Sequence, residues 1–170
     1  MLEMPSMAAR TAPDPHLFRQ ALGHYASGIT VIAGVADGLP VGFTCQSFYS
    51  VSLEPPLVSF SVMRSSSSWP KIRDSGAFSV NILSSRQREV SNAFARSGTD
   101  KWSGVDWAHS GFGNPIIAGS LTWLDCTLFE EYPAGDHTIV IGQVREMASI
   151  NADEDHEPLI FFKGRYVNSM

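Results

Sequence analysis

Val41-Gly42-Phe43-Thr44-Cys45-Gln46-Ser47-Phe48-Tyr49-Ser50-Val51, then Ser52-Leu53-Glu54, Pro55-Pro56 and Leu57-Val58-Ser59-Phe60-Ser61-Val62-Met63, is the stretch on which the reading of this chain turns. Val41–Val51 and Leu57–Met63 are rich in β-branched and aromatic residues and read as two strands. Pro55-Pro56 cannot donate to a ladder, so it marks a turn or a sheet edge between them. Alternate residues of an extended chain share a face, which sends Thr44, Gln46 and Phe48 one way and Cys45 and Ser47 the other. Small polar groups in an apolar strand let a planar heterocycle lie close to the backbone, where N–H groups can reach its ring nitrogens and carbonyls. A sheet whose few hydroxyls are satisfied by neighbours is the plainer alternative.

The same character continues on both sides. Upstream, Leu17, Phe18, Ala21, Leu22 and Tyr25 recur at three- and four-residue spacing and predict a helix over His16–Ala26, with Asp14-Pro15 as its start. Ile29–Ala33 predicts a strand, and Asp37-Gly38 a hairpin turn leading into Val41. Downstream, Ser67 is placed to cap a short helix through Trp69 and Ile72 that stops at Gly76. Ala77–Leu83 returns to strand, and Ser84 or Ser85 caps a helix whose inner face is Val90, Ala93 and Phe94. Gly98–Asn114 reads as a long loop. Ser120–Tyr132, His137–Ile150 and Pro158–Tyr166 read as strands, the first two joined by Pro133-Ala134-Gly135-Asp136. Strands that do not alternate with long helices exclude a doubly wound sheet, and an antiparallel barrel with a few short helices hides their edges.

Composition narrows the function. With 44 % hydrophobic and 17 % charged residues the chain can build a core. A net charge of −5, with Lys and Arg scattered, leaves nucleic acid no electrostatic footprint. Cys45 and Cys126 lie far apart in apolar runs, read as buried free thiols, and suit a reducing, cytoplasmic setting. No ligand spacing suggests a metal site, and Asp153, Glu154, Asp155 and Glu157 read as a solvated turn. Residues 1–15 read as a loose tail without a signal or membrane-spanning character, and 16–167 as one domain.

Three further segments could carry chemistry. Arg64-Ser65-Ser66-Ser67-Ser68 before a helix, with Lys71 nearby, could cradle a phosphate or form an ordinary serine-rich turn. Gly135-Asp136-His137 places a histidine at a hairpin end, where it could meet a nicotinamide or simply be a strand residue. Lys101-Trp102, with Trp107, could shield a ring or anchor a loop. Gly111-Phe112-Gly113 is not a dinucleotide fingerprint, because Pro115 interrupts and Ile116 stands where the next glycine belongs.

Taken in order, Phe18-Arg19 to Tyr25, Gly28–Ile32, Gly42–Phe48, Ser52–Val58, Ser79–Leu83 and Gly135-Asp136-His137 resemble the short-chain flavin reductase family, the reductase components of two-component flavin-dependent monooxygenases. The phrase Pro40–Phe48 is most similar to reductases serving aromatic and steroid-ring hydroxylases. The resemblance spans Leu17–Tyr166 and implies a split antiparallel β-barrel of the flavin reductase or FMN-binding type that dimerises. It implies that Thr44, Cys45, Gln46 and Ser47 border the isoalloxazine ring and that Ser61, Arg64, Ser67 and Ser68 hold the ribityl and phosphate end. Asn81, Phe94, Lys101 and Trp102 are further candidates for the pocket, and His137 is placed near the nicotinamide. The activity implied is NAD(P)H:flavin oxidoreduction on FMN or FAD, delivering reduced flavin to a partner monooxygenase. A non-catalytic flavin binder and an oxidase of the pyridoxamine-phosphate oxidase type are the alternatives. No basic pocket for a 2′-phosphate stands out, which favours NADH over NADPH. Gln46 and Tyr49, where many relatives carry Asn and Thr, leave FMN against FAD open.

Overall fold

A computed structural model describes residues 12–148 and 157–167. After helix α1 (Pro15–Leu22) the chain runs through strands β1 (Ser27–Gly28), β2 (Thr30–Ala36), β3 (Leu39–Cys45), β4 (Tyr49–Leu53) and β5 (Pro56–Met63). Helix α2 (Trp69–Ser75), β6 (Ala77–Ile82), a 3-10 turn and helix α3 (Arg88–Ala95) follow. The remainder is β7 (Trp107–His109), β8 (Pro115–Ile117), β9 (Thr122–Ala134), β10 (His137–Met147), β11 (Ile160–Phe162) and β12 (Arg165–Val167).

Seven strands form one antiparallel sheet in the order β3-β2-β6-β9-β10-β5-β4. Its two outermost strands, β3 and β4, are consecutive in the chain and joined only by Gln46-Ser47-Phe48. Laid flat, edges six strand spacings apart would stand roughly 29 Å from each other. The chain from Cys45 to Tyr49 spans at most about 14 Å. The sheet must therefore roll until its edges nearly meet, and this is the split barrel expected from the sequence. The seam lies at the Gln46–Phe48 link.

Alternation along β2 explains the two-sided core. Ile32 faces the barrel interior with Phe60, Phe78, Val80 and Val140, while Val31 and Ala33 face a second cluster with Leu83, Phe94, Ile117 and Leu159. Inside the barrel Phe60 meets Trp69 edge-on at 5.2 Å and Phe78 at 5.4 Å, fastening α2 across one end. On the outer side, Gly42 lets Phe94 of α3 rest on β3; a β-carbon there would come within 2.8 Å of the ring.

Local signals mostly act as read. Asp14 accepts from the amides of His16 and Leu17, and Gly76 ends α2 in the left-handed region. Asp37 and Gly38 both take positive φ, as a tight hairpin turn requires. Several expectations need correction. The strand expected over Val41–Val51 is broken at Gln46–Phe48, because its halves pair with opposite sheet edges. The first amide of α2 is taken by Ser66 Oγ (3.1 Å), not by Ser67. The loop expected over Gly98–Asn114 contains β7, which pairs with β8; the turn between them is held by buried Asp125, which accepts from Ser110 Oγ and from Asn114 Nδ2. Pro158–Tyr166 is two short strands about a turn in which Lys163 and Gly164 have positive φ. The expected helix to Ala26 stops at Leu22, and its apolar Leu17, Phe18 and Leu22 are exposed. Ile150, Asp153, Glu154 and Asp155, and most of the expected N-terminal tail, lie outside the described residues. No helix among the described residues is long and apolar enough to cross a membrane.

Candidate functional site

The seam opens onto a cavity of about 480 Å³. One wall is the end of β3 and the link, Phe43 to Ser47; the opposite wall is Ser61 to Met63 of β5 and the Ser65–Ser68 turn. Phe94, Ala95 and Ser97 close the α3 side, with Lys101 and His137 completing the lining. Most of the expected site residues are thus brought together: Thr44, Cys45, Gln46, Ser47, Ser61, Ser67, Ser68, Lys101 and His137.

Ser47 makes the seam. Tyr49 pairs with Ser59, so the register puts Ser47 opposite Ser61. There the Ser47 side chain replaces a backbone partner: its Oγ accepts the Ser61 amide at 2.8 Å and donates to the Ser61 carbonyl at 3.0 Å. The link can therefore leave the ladder without orphaning β5. Thr44 Oγ1 donates to the Ser91 carbonyl at 2.6 Å, tying the strand to α3. Cys45 Sγ lies 3.3 Å from Ser47 Oγ, and burial pushes its thiol above the usual range, which keeps it neutral rather than nucleophilic. Burial and the adjacent Asp125 carboxylate push the other thiol, Cys126, up to about 12.

Lys101 reaches in from the loop after α3. Its Nζ donates to the carbonyls of Gly42 and Phe94, both at 3.1 Å, and burial holds its pKa below the ordinary lysine range. No carboxylate lines the cavity among the described residues. On the rim, the His137 and Asp136 side chains pair through Nδ1 and Oδ1 at 2.6 Å, which holds the Asp136 carboxyl below its usual range. Gly135, at φ 63°, makes the turn, and the Arg64 amide donates to the Asp136 carbonyl at 3.0 Å. The hairpin is thereby fixed over the serine turn.

Three expected residues lie elsewhere. Asn81 is fully buried in β6, away from the cavity lining. Its Nδ2 donates to the Pro115 carbonyl at 3.3 Å and Ser79 Oγ at 3.1 Å, and its Oδ1 accepts the Ile117 amide at 2.8 Å. It ties β8 to the sheet. Trp102 stands behind Phe94, edge-on at 4.8 Å, and lines a neighbouring cavity. Arg64 sits at the turn beside the lining, held by its backbone. The lining residues that sequence reasoning missed include Phe43, Met63 and Ser97; nothing in their own pattern marks them, although Ser65 and Ser66 belong to the serine run already singled out.

The donor set suits a flat, polar-edged ring with an anionic tail. The Gln46 amide and the hydroxyls of Ser65, Ser67 and Ser68 make no hydrogen bond within the described residues, and Lys101 brings positive charge with no opposing carboxylate. Residues 22–169 match the family described as flavin reductase like domain, and the chain belongs to it. It is 46 % identical over 153 residues to the reductase subunit HsaB of a flavin-dependent monooxygenase from Mycobacterium tuberculosis, covering 90 % of this chain and 81 % of that one. It is 43 % identical to a flavin reductase of Pseudomonas putida, covering 98 % and 96 %. The NADH:FAD oxidoreductase SgcE6 of Streptomyces globisporus, solved with NAD and FAD fragments, superposes with a TM-score of 0.85 at 32 % identity, covering 96 % and 98 %.

Proposed function

We propose that this protein is an NAD(P)H-dependent flavin reductase that supplies reduced FMN or FAD to a partner monooxygenase. The observation that carries this reading is the convergence of the Thr44–Ser47 link, the Ser65–Ser68 turn and Lys101 on one cavity without a carboxylate. Family membership and the names of the relatives support it.

Bound flavin would supply the hydride-accepting chemistry, so the protein needs neither a covalent nucleophile nor an obligatory acid–base pair. Its residues bind and orient. The link from Thr44 to Ser47 borders the ring, with the Gln46 amide available to its polar edge. Ser61 shapes the wall through its bond to Ser47, and Ser67, Ser68 and Lys101 receive the phosphate, with Arg64 alongside. His137, held by Asp136 on the rim, positions the nicotinamide for a face-on approach within about 3–3.5 Å. Lys101 is the single lysine in the lining, which favours NADH over NADPH. Exposed Tyr49, Val51, Leu53, Phe129 and Tyr132 support a homodimer, and the two buried free thiols support a reducing, cytoplasmic location.

The test is NADH consumption with catalytic FMN or FAD and no other substrate. Turnover well above that of free flavin is expected. Flavin binding without turnover would instead make the protein a carrier, and turnover only with an added amine or alcohol would make it an oxidase.

A further inference from the structure

Tyr166, on β12, does not line the seam cavity, yet hydrogen bonds lead from its hydroxyl to the cavity wall. We propose that Tyr166 is a positioning residue for flavin binding: through Ser91 it sets helix α3, and with it Thr44 and Phe94, against the cavity. The inference rests on flavin occupying that cavity.

Proton count fixes the direction of the relay. The Asn92 side-chain oxygen can only accept, so the Tyr166 hydroxyl spends its one proton there, at 2.8 Å. Ser91 Oγ, 2.9 Å from the same hydroxyl, must then be the donor. Ser91 is fully buried, and its carbonyl accepts Thr44 Oγ1 at 2.6 Å. One residue of α3 thus holds β12 with its side chain and the cavity-lining Thr44 with its backbone.

The helix also grips the tyrosine ring. Arg88, Ser91 and Asn92 stand at the three- and four-residue spacing that shares one helix face, and the Arg88 guanidinium lies 5.1 Å from the ring centre. Phe161 meets the ring edge-on at 5.2 Å, which fixes it in place. Phe94, on the same helix, rests on Gly42 and lines the cavity. A helix of eight residues does not hold itself, so its place is set by what it touches: Thr44 and Gly42 of β3, Lys101, and Tyr166 of β12. Among the described residues β12 pairs with β11 alone, outside the seven-stranded sheet. The tyrosine side chain therefore carries the position of that small sheet to the site.

The experiment compares the full chain with Tyr166→Phe, which keeps the ring and removes only the hydroxyl, with Thr44→Val and with the double variant. FMN affinity is read by calorimetric titration and stability by denaturant unfolding. Tyr166→Phe should weaken FMN about fivefold, the size expected for one neutral hydrogen bond. The double variant should bind FMN no worse than Thr44→Val alone, because both changes act through Ser91. In the ligand-free protein the Thr44 methyl NMR signal should shift in Tyr166→Phe. Native FMN affinity in folded Tyr166→Phe, whatever its unfolding midpoint, makes the hydroxyl structural only and overturns the inference, as do additive losses in the double variant. Should Tyr166→Phe not fold, Ser91→Ala, which removes the donor and keeps the carbonyl, carries the same expectations. Failure of the native chain to bind FMN or FAD removes the flavin reading, whereas an unmoved Thr44 methyl removes the relay on its own.

Discussion

Ser47 and Ser61 face each other across the barrel seam as a ladder pair in which one partner uses its side chain instead of its backbone, at 2.8 and 3.0 Å. The hydroxyl closes the barrel while letting Gln46 and Ser47 leave the ladder and border the cavity.

Ser47→Ala should lower stability by about 1–3 kcal/mol, the cost of leaving a partly buried amide and carbonyl without partners. Denaturant unfolding would measure this, and flavin affinity should fall with it. An unchanged midpoint would mean that water replaces the hydroxyl at no cost.

His137→Ala should reduce NADH turnover or raise its KM while flavin stays bound. Native rates in the variant would remove His137 from the site. The same change tests the pair with Asp136. Because the native Asp136 pKa is depressed, its contribution to stability is present above the ordinary carboxylate range and is lost as pH falls through the lowered value. Without the imidazole, NMR titration should show the Asp136 carboxyl returning upward.

Lys101→Met removes the lining's lysine and should weaken flavin phosphate binding about tenfold. Riboflavin, which lacks phosphate, should lose much less. In the native protein, phosphate-dependent affinity should decline as pH rises through the lysine's lowered pKa. The sign for stability is opposite: burying the charged ammonium costs the fold at neutral pH, and that cost fades toward the pKa of the unfolded chain. A loss of equal size for riboflavin and FMN would show that Lys101 acts through Gly42 and Phe94 alone.

Gly42→Ala sets a methyl 2.8 Å from the Phe94 ring and 3.1 Å from the Ile32 carbonyl. Displacing Phe94 should cost about 1–3 kcal/mol and reshape the cavity wall. Thermal unfolding at native temperature with unaltered flavin affinity would contradict this contact.

Asn81→Ala should destabilise the fold by cutting β8 from the sheet, with little effect on flavin affinity of the folded fraction. A selective loss of flavin binding at native stability would return Asn81 to the site.

The barrel was largely legible from local signals: Asp37-Gly38, the proline pair, Gly76 and the β-branched runs each act as their chemistry dictates. The site was legible where polar residues interrupt an apolar run, as at Thr44–Ser47 and Ser65–Ser68. The break at Gln46–Phe48 was not, because two-residue periodicity says which face a side chain takes and nothing about which strand lies alongside. The direction in which Asn81 points is hidden for a related reason. Ser79, Val80 and Asn81 are all buried, so β6 has no wet face to reveal which way its polar side chains point. Trp102 adjoins Lys101 in the chain, but only the folded loop separates the two, Lys101 reaching the cavity and Trp102 packing behind Phe94.

A hoop whose outermost strands are neighbours along the chain can be unfastened at one place without severing a ladder between named strands. A molecule lodged there acts as a clasp. Loading it would resist the unbuckling of both rims together, and slowed amide exchange across residues 39–53 is where that resistance would register first.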